Sequence, residues 1–243
     1  MNEGAYQYSA TPTRNPLRWL LAAWRVTQDL GNTNEAAIVE IGFSRSRFGR
    51  RYAGWEQSAA RLRADARTAD AVESKTRLGA LDLDQLARLP EGTLGHTFAT
   101  HCRAAGIDPN LVDVPVASEG DYVMAHLFET HDIWHVVTGW GNDELGEVGL
   151  GGFYLAQLEL PLIALMLALI LVNTVTRAPG TLRERMDALV AGYTMGKRAA
   201  PLFGVPWEQR WSEPVDSLRA SMGIESSVTS GRGILGARLR DAA

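Results

Sequence analysis

His131, Asp132 and His135, followed by Glu147, put two imidazoles and two carboxylates into one short stretch of the chain. On an α-helix, residues four apart lie on one face, so His131 and His135 point the same way, one turn apart. Eleven residues separate His135 from Glu147. That is enough to finish the helix, turn through residues 138–142 and start a second helix that returns alongside. Two imidazoles and a carboxylate converging from two helices bind a divalent transition metal and leave coordination positions open for substrate. Asp132 is placed either to ligate directly or to orient a histidine from outside the ligand set. The alternative is a pair of core histidines that happen to sit four apart.

At 100° per residue, Met124, Phe128, His131, His135 and Thr138 share a narrow arc, with Asp132 to one side. The histidines therefore fall on the apolar, inward face, where a polar ring without a partner costs roughly 1–3 kcal/mol. The pattern is not the zinc-protease H-E-x-x-H, since Asp132 replaces glutamate at a shorter reach. Gly146, Gly149, Gly151 and Gly152 crowd the segment around Glu147, although each glycine in a helix costs about 1 kcal/mol relative to alanine. Such residues fit where a ligand or a neighbouring helix comes close. Gly151, four residues after Glu147, opens space beside the metal on the first account; tight helix packing explains it equally well on the second.

The elements that must position these groups read as helices. Residues 16–30 form an amphipathic helix (Leu17, Leu20, Leu21, Trp24) ended by Gly31, and residues 34–43 a second, short one. Arg45, Arg47, Arg50 and Arg51 form a basic cluster that Arg61, Arg63 and Arg67 continue along a helix. This is a solvated face on the ordinary reading, and a contact with anionic headgroups or a phosphate on the functional one. Residues 81–89 and 94–105 are helical on either side of the turn at Pro90–Gly92, and residues 107–118, with Pro109 and Pro115, form a surface linker. Asp121 can cap the histidine-bearing helix. Thr181 and Glu184 make a capping box for a helix reaching about Arg198, and residues 215–222 form the last helix. Strand alternation and hairpin turns are nearly absent. The expected fold is all-α: a single globular multi-helix domain over residues 1–222, its metal and lipid site centred on 121–175, and a loosely ordered tail over 223–243.

Residues 160–172 carry no charged or strongly polar side chain. Their 13 residues make a helix about 20 Å long, short of a bilayer core of roughly 30 Å. A helix apolar on all sides must be buried on all sides or line a cavity filled by something apolar, so an apolar interior cavity for a lipid is expected here. A chain of 243 residues with 46% hydrophobic and 21% charged residues is a globular protein,. A net charge of −4 gives no electrostatic case for nucleic acid,. The single cysteine, Cys102, suits a reducing compartment,. The N-terminus lacks signal- and transit-peptide composition, so a bacterial cytoplasmic location is expected.

Several motifs resemble, in order, those of the coenzyme Q biosynthesis protein 4 family. The family's metal signature, H-D-x-x-H then eleven residues then E, is met by His131, Asp132, His135 and Glu147. Leu89-Pro90-Glu91-Gly92-Thr93-Leu94-Gly95 is similar to its L-P-x-G-(T/S)-x-G turn. Thr138-Gly139 and Leu145-Gly146-Glu147 are similar to its link between histidines and glutamate. Pro201-Leu202-Phe203-Gly204-Val205-Pro206-Trp207-Glu208, Trp211 and Leu218-Arg219 are similar to its C-terminal region. The likeness runs from about Leu89 to Ile224, over half the chain, and is weak in the N-terminal third. It implies a role in ubiquinone biosynthesis on polyprenylated benzenoid intermediates: removal of the ring carboxylate at C1 coupled to hydroxylation there. It also implies a helical fold whose interior takes a polyprenyl tail. Many members carry a lysine shortly after the glutamate, where this chain has Gly151 and Gly152. The departure implies different headgroup contacts and leaves room for a substrate that is not a ubiquinone precursor.

Three functions compete. The first is a metal-dependent decarboxylase, with a divalent zinc, iron, manganese, cobalt or magnesium ion on His131, Asp132, His135 and Glu147 and with Asp132 as the catalytic side chain. The second is a non-catalytic carrier of a prenylated aromatic or isoprenoid lipid, or an organiser of other quinone-biosynthesis enzymes. The third, a phosphohydrolase, is weaker because no further His-Asp pair completes its ligand set. A homo-oligomer in peripheral contact with a membrane is expected.

Overall fold

The computed structural model describes residues 15–28, 40–42, 53–110 and 114–225, and among them helices are joined by short turns, with no strand. In chain order the helices are α1 (Pro16–Gln28), α2 (Trp55–Ala64), α3 (Ala69–Ser74), α4 (Leu83–Leu86), α5 (Leu94–Ala105), α6 (Glu119–Thr138), α7 (Glu144–Leu158), α8 (Pro161–Arg177), α9 (Leu182–Arg198) and α10 (Val215–Ser221). Short 3₁₀ turns at Pro179–Thr181 and Trp207–Gln209 complete them. One hydrophobic core joins α1–α10 around Trp134, Phe153, Phe98, Tyr122 and Trp207, so the all-α, single-domain expectation holds. The Arg45–Arg51 cluster, most of the second expected helix and the tail beyond Glu225 lie outside the described residues.

Helix α6 is the axis of the molecule. Ser118, rather than Asp121, is its N-cap: the Ser118 hydroxyl accepts from Asp121 N–H, and Asp121 reciprocates to the Ser118 N–H. A serine reaches the third amide of the helix without a charge to desolvate, and the aspartate then satisfies the cap's own amide. At the other end Gly139 adopts φ 81°, and its N–H closes onto the His135 carbonyl. The neighbouring Val136 and Val137 carbonyls accept from the Arg219 guanidinium at 2.9 Å each.

The glycines around Glu147 serve close helix packing. A Cβ on Gly192 of α9 would lie 1.8 Å from the Gly149 carbonyl oxygen, and one on Gly152 would lie 2.4 Å from Leu189 O. Backbone thus meets backbone where α7 crosses α9. At Gly151 a Cβ would meet Leu167 of α8 at 3.2 Å, so the space beside Glu147 is occupied by a neighbouring helix.

Helix α8 starts with Pro161 at its first turn and runs further than the apolar stretch alone. It is not buried on all sides. Leu162 and Leu167 face inward, while Leu171, Val172 and Val175 are exposed, because α7 covers one flank and α1 another, leaving a third open. The sequence of α1 is apolar on both faces, and the structure buries the less bulky one, Trp19, Ala22, Ala23 and Val26. Leu17, Leu20, Leu21 and Trp24, the residues that marked the helix as amphipathic, point outward. Alanines let α1 approach α8 closely, which leucines would prevent. Thr181 likewise does not cap α9: it lies in the 3₁₀ turn and its hydroxyl donates to Ala178 O at 2.9 Å.

Candidate metal centre

His131 and His135 sit on successive turns of α6, and Glu147 lies on the first turn of α7. Asp143 caps α7 by accepting from Gly146 N–H at 2.7 Å, which fixes the direction in which Glu147 leaves the helix. The two imidazoles meet edge to face, centroids 4.6 Å apart at 89°, with Nε2 facing Nε2 at 3.1 Å. The Glu147 carboxylate closes the triangle at 3.2 Å from His135 Nε2 and 3.9 Å from His131 Nε2. All three donors lie within 4.8 Å of one another.

The remaining ring nitrogens decide what those Nε2 atoms offer. His135 Nδ1 is 3.0 Å from the Trp140 carbonyl, which can only accept, so Nδ1 carries the proton,. His131 Nδ1 is 3.1 Å from the Tyr154 hydroxyl. Burial pushes Tyr154 well above the usual phenol range, so it stays protonated and either donates to Nδ1 or accepts from it. Both histidines thus turn Nε2 toward one point beside the Glu147 carboxylate. Two nitrogens bound to one metal at about 2.0–2.1 Å lie roughly 3.0–3.4 Å apart. The residues present fit a divalent ion.

Charge at the site is consistent with that. Burial depresses His131, and the neighbouring His135 charge depresses it further. Burial also depresses His135, but the hydrogen bond and charge of Glu147 outweigh it and hold His135 above its usual value. Burial raises Glu147, and the His135 hydrogen bond with both histidine charges more than reverses this. His135 and Glu147 thus favour each other's charged form at the place a metal would take. His135 is 1% exposed, while His131 at 37% and Glu147 at 46% form the open side.

Asp132 lies apart from this triangle. Its carboxylate turns to His101 on α5, with Oδ1 3.6 Å from His101 Nε2. His101 in turn stacks against His135, centroids 5.8 Å apart. Sequence reasoning missed His101, because nothing in the spacing of residues 101 and 131 marks them as neighbours. It missed Tyr154 too, although Tyr154 is seven residues after Glu147 and so on the same helix face. Arg185 was equally hidden: buried, it pairs with Glu144 one turn before Glu147 and donates to Asn173 Oδ1 at 3.1 Å. The described arginines of the basic stretch are paired, Arg61 with Glu159 at 3.1 Å and Arg63 with Glu119 at 2.8 Å, as a solvated face requires.

Residues 55–227 match the family described as coenzyme Q (ubiquinone) biosynthesis protein Coq4. The chain belongs to this family. It is similar to the ubiquinone biosynthesis protein COQ4, mitochondrial, of Eremothecium gossypii, with 36% identity over 59% of this chain and 45% of the relative. The Danio rerio homologue of that protein is 30% identical over 64% of this chain and 58% of its own length. The chain thus spans about half the length of these two curated relatives. A crystal structure from Nostoc punctiforme, of a protein named for ubiquinone biosynthesis, superposes with a TM-score of 0.72 at 26% identity. That similarity covers 88% of this chain and all of the Nostoc chain. The family match includes α5–α10 entire, and with them every side chain of the metal triangle.

Proposed function

We propose that this Coq4-family chain binds a divalent metal at His131, His135 and Glu147 and acts on a polyprenylated hydroxybenzoate or a related aromatic. The proposed reaction replaces the ring carboxylate at C1 with a hydroxyl. Carbon dioxide leaves, one oxygen atom of dioxygen enters the ring, and the other leaves as water with two protons and two electrons from an external reductant. The observation that carries the reading is the convergence of the two Nε2 atoms, 3.1 Å apart, beside a carboxylate. When bound, the ion supplies Lewis-acid stabilisation of charge developing on ring oxygens.

The chain's own residues set up that chemistry. The Trp140 carbonyl fixes the His135 tautomer and the Tyr154 hydroxyl orients the His131 ring,. Asp132, held below the usual carboxylate range where the nearby His101 ring and the His131 and His135 charges overcome burial, stays ionised and can accept a proton from a ring hydroxyl,. The reading is tested by oxygen-dependent carbon dioxide release from a prenylated 4-hydroxybenzoate, with the ring-hydroxylated product followed by mass spectrometry. Turnover in metal-loaded protein supports it. Metal-dependent binding of the substrate without turnover replaces it with a lipid-binding or organising role.

One observation favours that second reading as an accompaniment. α1 and α8 expose Leu17, Leu20, Leu21, Trp24, Leu171, Val172 and Val175. The only charged residues on these two helices are Arg18, Arg25 and Arg177. Arg18 lies 3.8 Å from Glu40. An apolar surface edged by arginines suits peripheral contact with an anionic membrane, from which a prenylated lipid would be taken up along α8. No described helix is long and apolar enough to cross a membrane.

A further inference from the structure

We propose that His101 holds Asp132 outside the metal's coordination sphere and so keeps a position open for substrate at the His131–His135–Glu147 site. The inference rests on the metal reading above and concerns a residue of α5, a helix that supplies no ligand.

The two carboxylates of the site differ in what they face. Glu147 lies against both Nε2 atoms, whereas Asp132, only one residue from His131, faces His101. On the helix circumference Asp132 is about 60° from His135 and about 100° from His131, so it stands beside the ligands without sharing their direction. Four protein donors would suit a closed, structural site. Three leave coordination open. What separates the two outcomes here is whether the Asp132 carboxylate stays with its present neighbour once a divalent charge sits a short distance away.

His101 has the features needed to retain it. Its Nε2 is shielded from solvent and has no hydrogen-bond partner, and Asp132 Oδ1 lies only slightly beyond hydrogen-bonding range. Its ring is fixed by stacking at 28° against His135, and Phe98, Ala99 and Cys102, buried on the same helix, hold α5 in place. Each side chain is 19% exposed. A small closure completes the bond and removes an orphaned polar atom from the interior, which a swing of Asp132 toward the metal would leave stranded.

Cobalt(II) loaded into the full-length protein, with azide as the probe of the open position, tests this through visible absorption. In wild type, azide shifts the cobalt bands. In His101→Ala, Asp132 is released to act as an internal ligand, so azide affinity falls at least about tenfold while cobalt is bound as tightly as before or more tightly. Adding Asp132→Asn to that background restores azide binding, and His101→Gln, which keeps an N–H donor, behaves as wild type. A structural role alone would lower cobalt affinity and would not be rescued by the second substitution. Circular dichroism establishes that each variant is folded. Unchanged azide affinity in His101→Ala, or a loss that Asp132→Asn leaves in place, overturns the inference while the metal reading stands. Absence of cobalt binding in folded wild type overturns both.

Discussion

At the scale of single residues, the metal triangle is a competition between a proton and a divalent ion for the same lone pairs. His135 is held above its usual pKa by Glu147, and the proton it retains must leave before a metal binds,. Metal affinity is therefore full well above the raised His135 value and falls as pH is lowered through it. Equilibrium dialysis between about pH 8 and about pH 5 should show that loss, centred above the unperturbed value of about 6.5; affinity flat across the range would contradict the assignment. Asp132 separates from the ligands in a second measurement. Asp132→Asn should keep the metal and slow turnover by about 10²-fold or more, the range of a lost general base. Loss of the metal itself in that variant would make Asp132 a ligand instead.

At the scale of elements, the site depends on contacts that hold α6 at both ends. Arg219 donates to two carbonyls at the C-terminus of α6, within two residues of His135. Charge-assisted bonds of this kind contribute about 1.5–3 kcal/mol. Arg219→Ala should lower the urea midpoint accordingly and weaken metal binding, with metal added in excess recovering part of the stability; no change in either would remove Arg219 from the account. Nearer the start of α6, His126 accepts from the Gly204 N–H at 3.2 Å. Burial first, then the Arg77 charge, lowers His126 from 6.5 to about 4. It is neutral in the fold, whereas the unfolded chain takes up a proton below about pH 6.5. Stability is thus full above that pH and declines toward about pH 4, by about 3 kcal/mol in all. His126→Gln, which retains an acceptor but does not titrate, should show a shallower decline in urea unfolding over that interval. An identical decline would mean other groups carry it.

For the whole molecule, what the sequence revealed follows from which contacts are local. Helix positions, the all-α class and the two-helix origin of the ligands were legible because periodicity and i,i+4 spacing are properties of one segment. The outward face of α1 was not, since Leu17, Leu20 and Trp24 have the same period as a buried stripe and only the alanine side fits against α8. Nor were Arg185 and His101, whose partners come from distant segments. Glycine reading gave two accounts of Gly149 and Gly152, and only the crossing of α7 with α9 decides for packing. The exposed face of α1 and α8 makes its own prediction. Trp24→Ser with Val175→Ser should abolish flotation with vesicles of phosphatidylcholine and phosphatidylglycerol and leave the metal content untouched. Flotation equal to wild type would assign that face elsewhere.

The central claim is that His131, His135 and Glu147 hold a metal, and elemental analysis of protein purified without added metal tests it most directly. Wild type should carry about one equivalent of a divalent transition metal per chain. His131→Ala, His135→Ala and Glu147→Ala should each fall well below that with helical circular dichroism intact. Full metal retention in the folded histidine variants would contradict the account.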